Sequence, residues 1–307
     1  PEPELWQALL QLFTRPTFRL GGSTRAGFGA IAVVRGHGTR FNLHSGRDLQ
    51  RLAQLAPELA SVVGLEPLAF QAGEGAVSDS VNLQPQDFFR FGGGERSLRQ
   101  GDKQGLEQMP LNEAIVLWEK GRGLLSEPCL VLPASAIKGA LRHRVAFHYL
   151  LQQQIYADQP GDHPGADQQG AVQLADYSTE SNQAVCALFG MASDGAESVG
   201  SCGRVFIDDL LLPISANQVH HLCHNSVDRF TGGVRNHVLF TEELVCNTPF
   251  TLNIHLQGTL EPELRLAFDA ALQDLAEGRL ALGASSARGH GYFTGTVCWS
   301  DTQGAST

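Results

Sequence analysis

"LALGASSARGHGYF" (Leu280–Phe293) threads three glycines and two serines through what should be a terminal strand. Glycine has no Cβ, so it accepts left-handed backbone and lets other groups approach closely. Such a run inside a strand region marks a loop built for contact. The pattern recurs near the other end of the chain, where residues 18–31 read "FRLGGSTRAGFGAI". The two stretches align without a gap: Leu20 falls on Leu282, Gly21 on Gly283, Ser23 on Ser285, Thr24 on Ser286, Gly27 on Gly289 and Gly29 on Gly291. An internal repeat implies that a structural unit recurs around the loop.

Working outward, each loop follows a helical pattern. Residues 3–14, "PELWQALLQLFT", and residues 261–277 both have Pro early and apolar positions at helical spacing, and Gly278 stops the second. The repeated unit is helix, strand, glycine loop, strand. The first copy reads as the tail of a domain whose body is missing or lies on a preceding polypeptide. The start at Pro1, without Met, is expected of a fragment or a processed chain. Residues 41–64 read as a loop and an amphipathic connector helix, and a new strand is expected near Glu66–Phe70. Residues 71–110 and 157–170, rich in polar residues and Gly, read as long mobile insertions. Between them, 135–151 is a helix starting at Ser135, with Ile137, Ala140, Leu141, Val145 and Tyr149 along one side. Strands follow at 203–212 and 249–257, around a hairpin at 226–245. This order predicts an α+β fold, an antiparallel ferredoxin-like or RRM-like domain over 65–300. A partial domain over 1–45 and a connector over 46–64 precede it.

The 307 residues suffice for a substantial core, and 42% hydrophobic with 18% charged residues is a soluble globular composition. No apolar run approaches a membrane span and no leader pattern opens the chain, so a cytoplasmic protein without a membrane partner is expected. The six Cys never form C-x-x-C, which favours thiols over a disulfide framework. Net charge is −10, from 22 basic and 32 acidic residues, which argues against a general nucleic-acid binder. Basic residues nevertheless cluster locally.

Three segments carry chemistry. In "LVLPASAIKGALRHRVAFHYL", Pro133 ends a strand, Ser135 can cap the helix, and Lys138, Arg142 and Arg144 supply a basic face beside the free N–H groups of the helix start. That is a site for a phosphate backbone, or simply a solvated helix face. "VDRFTGGVRNHVLFTEELV" is a hairpin whose tip carries Arg229, Arg235 and Phe230, the last either stacked on a base or buried in the core. The glycine loops, with Arg25 in the first and Gly283, Ser285, Arg288 and Gly289 in the second, can bring backbone N–H groups to an anion. Neither has the ending of a P-loop or the setting of a dinucleotide fold.

Together and in this order, "LPASAIKGALR", "VDRFTGGVRNHVLFTEEL" and "LGASSARGHGYF" resemble the RAMP superfamily of CRISPR-associated proteins. The likeness is to the RNA-binding backbone subunits of type III effector complexes, and "ALFG" at 187–190 with "CGRVFIDDLLL" at 202–212 fits the same pattern. The resemblance covers about residues 66–298. It implies a protein with tandem RAMP domains that holds guide RNA (crRNA) against target RNA, beside other effector subunits in a filament-like assembly serving antiviral defense. A thumb-like hairpin in this family pushes between bases of the guide–target duplex. Catalytic members are metal-dependent endoribonucleases that cleave the target with an Asp in the loop after the first strand and a divalent metal, Mg²⁺ or Mn²⁺. Carried over, "FQAGEGAVSDSVN" occupies that loop, with Asp79 as catalytic acid and metal ligand and Asp87 as the alternative. Because the RNA's 2′-hydroxyl can serve as nucleophile, one carboxylate suffices if the geometry is fixed. Two other readings stay open: a structural subunit without an active site, and a metal-independent guide-precursor-processing endoribonuclease relying on His143, His148 or His237. "HHLCH" (His220–His224) reads as a His-rich loop ahead of the hairpin, with a structural zinc site as the alternative, since some RAMP relatives carry one.

Overall fold

Residues 3–55, 65–70, 76–99, 106–120, 122–156, 182–193 and 200–300 are described by the structure, a computed structural model. In chain order the main elements are α1 (Pro3–Leu12), α2 (Gly46–Ala53), β1 (Ala76–Pro85), β2 (Cys129–Leu132), α3 (Ala134–Gln152) and α4 (Gln183–Phe189). They continue with β3 (Val205–Ile207), β4 (Leu210–Pro213), β5 (Val219–His224), β6 (Phe240–Val245), β7 (Phe250–Gln257), α5 (Pro262–Ala276) and β8 (Phe293–Cys298). The mixture of helices and antiparallel strands is the α+β class that the sequence predicts.

The central sheet runs in the order β3–β7–β1–β8, every neighbour antiparallel. Its inner face alternates with its outer one, as strand geometry requires. Val81 and Leu83 of β1 and Leu252 and Ile254 of β7 point into the core, while Asn82, Gln84, Thr251 and Asn253 point out. Helices α3 and α5 pack together on the inner face through Ile137, Leu141 and Val145 and through Leu264, Ala267, Phe268, Ala271 and Leu272. Phe89, Phe250 and Phe293 meet edge-on or tilted at 5.3–6.4 Å between centroids and close the core beneath the glycine loop. Truncating one such buried ring costs about 3–5 kcal/mol. A smaller sheet joins β4, β2 and Asn112–Glu113, and β5 with β6 forms a separate hairpin.

Several expectations are corrected. Residues 76–85 are not part of a mobile insertion but the strand at the centre of the sheet. Its outward face is Ser, Asn and Gln, so half of a core strand looks like loop composition. Glu66–Pro67 is instead a two-residue strand paired with His37–Gly38. The 203–212 region splits at Asp208 and Asp209 into β3 and β4, which belong to different sheets. The first hairpin arm is "VHHLCH", with pairing from Val219↔Val245 to His224↔Phe240, so the His-rich loop is a strand. Helix α3 starts one residue early, with Pro133 at the cap position and no role for the Ser135 hydroxyl there; the Ala134 N–H is taken by the Asp209 carboxylate at 2.7 Å. Residues 157–170 lie outside the described residues. Helix α2, capped by Ser45, buries none of its residues. All six Cys are free thiols. No helix among the described residues is long and apolar enough to cross a membrane.

Candidate nucleic-acid interface

The two glycine loops share more than sequence. In each, a leucine N–H donates to the carbonyl of the closing glycine, Leu282 to Gly291 at 2.8 Å and Leu20 to Gly29 at 3.0 Å. Four positions take the left-handed region in both copies: Gly283 and Gly21, Ser285 and Ser23, Gly289 and Gly27, Gly291 and Gly29. A Cβ at either closing glycine would overlap the leucine carbonyl oxygen, so the residue must be Gly. The C-terminal loop is seated on the domain through Gly283, packed against the Arg90 carbonyl, and through the Ala284 N–H, which donates to that carbonyl at 2.8 Å. Gly289 faces open space.

Beside it rises the hairpin of β5 and β6, extended by residues 225–239. Phe230 at its tip is 95% exposed, which rules out the core alternative for this ring. The tip is nonetheless ordered by its own hydrogen bonds. The Asp228 carboxylate accepts from the N–H of Phe230 (3.0 Å), the N–H of Thr231 (2.8 Å) and the Thr231 hydroxyl (3.0 Å). Those donors, the Thr231 N–H first, hold the Asp228 carboxyl below the usual carboxylate range. Arg229 and Arg235 are exposed on the same extension, with Val227 and Val234 bridging its stem.

Two fully buried carboxylates lie side by side on β6, and the first of them, Glu242, joins the hairpin to the glycine loop. Glu242 lies 2.9 Å from the Arg288 guanidinium, 3.4 Å from that of Arg90, 2.6 Å from His224 Nε2 and 3.4 Å from the Ser285 hydroxyl. The His224 contact is close without hydrogen-bond alignment. Glu243 accepts from the Ser97 hydroxyl and the Leu98 N–H (2.8 Å) and meets His221 Nε2 at 2.9 Å. Burial pushes the Arg90 guanidinium below its ordinary pKa, Glu242 opposing and the Arg288 charge adding to the effect. Sequence reasoning missed Glu242, Glu243 and Arg90. Two consecutive acids inside the apolar run "LFTEELV" were the available signal, since a strand that buries adjacent carboxylates must supply partners for them. The imidazoles of "HHLCH" thus serve the acids, with His220 edge-on to Phe88 at 5.3 Å. Among the described residues no group of three His, Cys, Asp or Glu gathers as a metal site.

The other expected residues fall elsewhere. Lys138 Nζ donates to the carbonyls of Arg25 and Val205, both at 2.9 Å, and its pKa is lowered to about 8 by burial and then by the Arg25 charge. Arg25 donates to the Gly203 carbonyl (2.7 Å) and lies 4.0 Å over the Phe206 ring. Arg144, His148 (2.7 Å) and Arg279 (2.7 Å) converge on Asp274, which ties α3 to α5. Burial alone would raise the Asp274 pKa; hydrogen bonds from His148, Arg279 and Arg144 outweigh it and lower it. Arg142 is half-buried on α3, and His143 and His237 are exposed.

Asp79 does not lie in a loop. It sits mid-strand on the inner face of β1, 1% exposed, opposite Ile254. One oxygen accepts from the N–H and hydroxyl of Ser300, both at 3.0 Å, and the other lies 2.8 Å from the Arg265 guanidinium. Asp87 is exposed, two residues past the end of β1, where the Gln86 N–H donates to the Tyr292 carbonyl at the close of the glycine loop.

Residues 90–294 match the RAMP superfamily. The chain belongs to that superfamily. Among solved structures it is similar to a chain of a "Type IV-B CRISPR Complex", at 18% identity and a TM-score of 0.43, over 75% of this chain and 92% of that one. No curated protein matches it.

Proposed function

We propose that this protein is a guide-RNA-binding backbone subunit of a CRISPR effector complex, its thumb working against a guide–target RNA duplex. The observation that carries this reading is the tip of the hairpin: an ordered, 95% exposed Phe230 between two exposed arginines. A ring held so far from the core gains nothing for the fold, and it has the geometry to stack on or wedge between bases. The buried Glu242 then makes the thumb and glycine loop one rigid unit, so that RNA meets both in a fixed relation. A strand order of β3–β7–β1–β8 with two helices on one face supports the ferredoxin-like reading of residues 65–300. The paired loop geometries support reading 1–45 as the end of a first RAMP domain joined through 46–64.

The type III assignment rests on the three motifs. Target cleavage, within this reading, falls to Asp87. The family's acid lies in the loop after the first strand, and that strand runs to Pro85. Asp79 has both oxygens engaged under the sheet, where neither RNA nor a metal's other ligands reach. An exposed Asp87 carboxylate fits Mg²⁺ or Mn²⁺ shared with RNA phosphates; the metal would supply charge stabilisation at the cut.

The test is guide-directed cleavage of a labelled matching RNA by the assembled complex. Phe230→Ala should weaken the duplex distortion and lower one cut at least about fivefold, given the ~1–3 kcal/mol carried by a base–aromatic stack. Asp87→Ala should abolish that cut with RNA binding intact. Unchanged cutting with Asp87→Ala would make the domain a structural member, and unchanged binding and cutting with Phe230→Ala would remove the thumb role.

A further inference from the structure

The N-terminal glycine loop is fastened to the domain, but the helix that leads into it is not covered. Arg19 pairs with Asp208 at 2.7 Å, Arg25 holds Gly203 and Phe206, and Lys138 holds the Arg25 carbonyl. Gly27 sits so close to the start of α3 that a Cβ there would lie 2.7 Å from that of Ala134. Helix α1, by contrast, turns Leu5 (63% exposed), Ala8, Leu9 (44%) and Leu12 to solvent.

The repeat shows what such a face is for. "PEL" opens both α1 and α5, and in that register Leu5, Ala8, Leu9 and Leu12 correspond to Leu264, Ala267, Phe268 and Ala271. Each of the latter four is 4% exposed or less and lies in the core beneath the sheet. Equivalent positions, leading into loops of the same backbone geometry, are therefore buried in one copy and bare in the other. Three exposed leucines on one helical face, with no charge among these four positions, mark an interface rather than a solvated surface.

We infer that the Leu5–Leu12 face of α1 docks onto the inner face of an antiparallel sheet in a second domain of this same build, one that has no last helix and glycine loop of its own. Residues 3–31 complete that domain while being pinned to this one, so they are a rigid joint between two domains. A second copy of this chain is unsuitable, because α3 and α5 already cover the inner face of its sheet. The inference rests on reading 1–45 as the end of a first RAMP domain, and is independent of what RNA the pair holds.

The test places a photo-crosslinking residue at Leu9 in the assembled complex, identifies crosslinked peptides by mass spectrometry, and follows hydrogen exchange of α1. Crosslinks should fall on alternate residues of an extended apolar segment in another domain. The Leu5–Leu12 amides should exchange at least about tenfold more slowly in the complex than in the chain alone. Leu5→Asp with Leu12→Asp, made beside the crosslinker at position 9, should abolish both signals and leave thermal unfolding of the isolated chain unchanged. Crosslinks to RNA, or to a second copy of this chain, would overturn the inference, as would equal exchange in complex and free chain. RNA content of the same preparation is read separately. Crosslinks in a complex without RNA refute the guide-RNA reading alone, and bound RNA with α1 uncovered refutes this inference alone.

Discussion

Replacing Glu242 with glutamine keeps the side chain's shape and removes one buried charge, so its effect measures the cluster beneath the thumb. Glu242 is fully buried, and the Arg90 side chain facing it at 3.4 Å is 8% exposed. At an effective dielectric of about 20, opposite charges at that separation attract by roughly 5 kcal/mol. The Gln108 side chain still accepts from Arg90 at 2.7 Å in the variant and offsets part of the loss. A net cost of about 3–5 kcal/mol follows, the usual consequence of stranding one partner of a buried pair. For a chain of 307 residues, that is a fall in Tm of roughly 5–8 °C. Thermal unfolding by circular dichroism reads it directly, with Glu261→Gln as control, since Glu261 is exposed and 3.5 Å from Arg204. The control should stay within about 0.5 kcal/mol of wild type. Adding Arg90→Met to Glu242→Gln should cost less than the sum of the two single changes by about 1–3 kcal/mol. A Glu242→Gln variant melting within a degree of wild type would refute the argument that this carboxylate holds thumb and loop together.

Asp79→Asn should lower stability by about 1.5–3 kcal/mol, from its charged hydrogen bonds to Ser300 and its ion pair with Arg265, and leave guide-directed cutting unchanged in the assembled complex. Lost cutting with wild-type melting would make Asp79 catalytic after all. For Lys138, burial and then Arg25 lower the folded pKa from 10.5 to about 8. Between those values the unfolded chain holds a proton that the folded one lacks, so this group's contribution to stability rises as pH climbs through the window and is absent below it. Wild type should therefore gain stability relative to Lys138→Met from pH 8 to 10.5 in urea titrations, and a flat difference would refute the burial assignment.

What the sequence disclosed and what it hid follow from chemistry. The glycine loops were legible because left-handed backbone and close approach leave few residue choices, so Gly21, Gly27 and Gly29 repeat as Gly283, Gly289 and Gly291. Helices α3 and α5 were legible because each has one apolar stripe. Strand β1 was not, because Ser78, Ser80, Asn82 and Gln84 face solvent and Asp79 interrupts its inner face. The exposed tip of the hairpin was within reach of pattern reading. Its first arm was hidden because histidines there satisfy buried acids from the neighbouring strand. Cations were easy to find and hard to assign, since a guanidinium's partner is set by the fold.

That last point has a measurable consequence for RNA binding. Seven cations were expected at the RNA: Arg25, Lys138, Arg142, Arg144, Arg229, Arg235 and Arg288. Four are engaged by the protein's own carboxylates or carbonyls: Arg25 by Gly203, Lys138 by Arg25 and Val205, Arg144 by Asp274 and Arg288 by Glu242. Arg229 and Arg235 are exposed, and Arg142 is half-buried. On single-stranded RNA each neutralised phosphate contributes about −0.7 to the slope of log K against log salt, so seven cations give about −5 and the two exposed arginines of the hairpin tip about −1.5. Titrating the isolated chain with a labelled single strand from 50 to 300 mM salt should therefore give the shallow slope and weak affinity at the upper end, with the −10 net charge adding repulsion. A slope near −5 would mean that the ion pairs to Glu242 and Asp274 open on binding, and the thumb would then be a folded-back state rather than a preformed one.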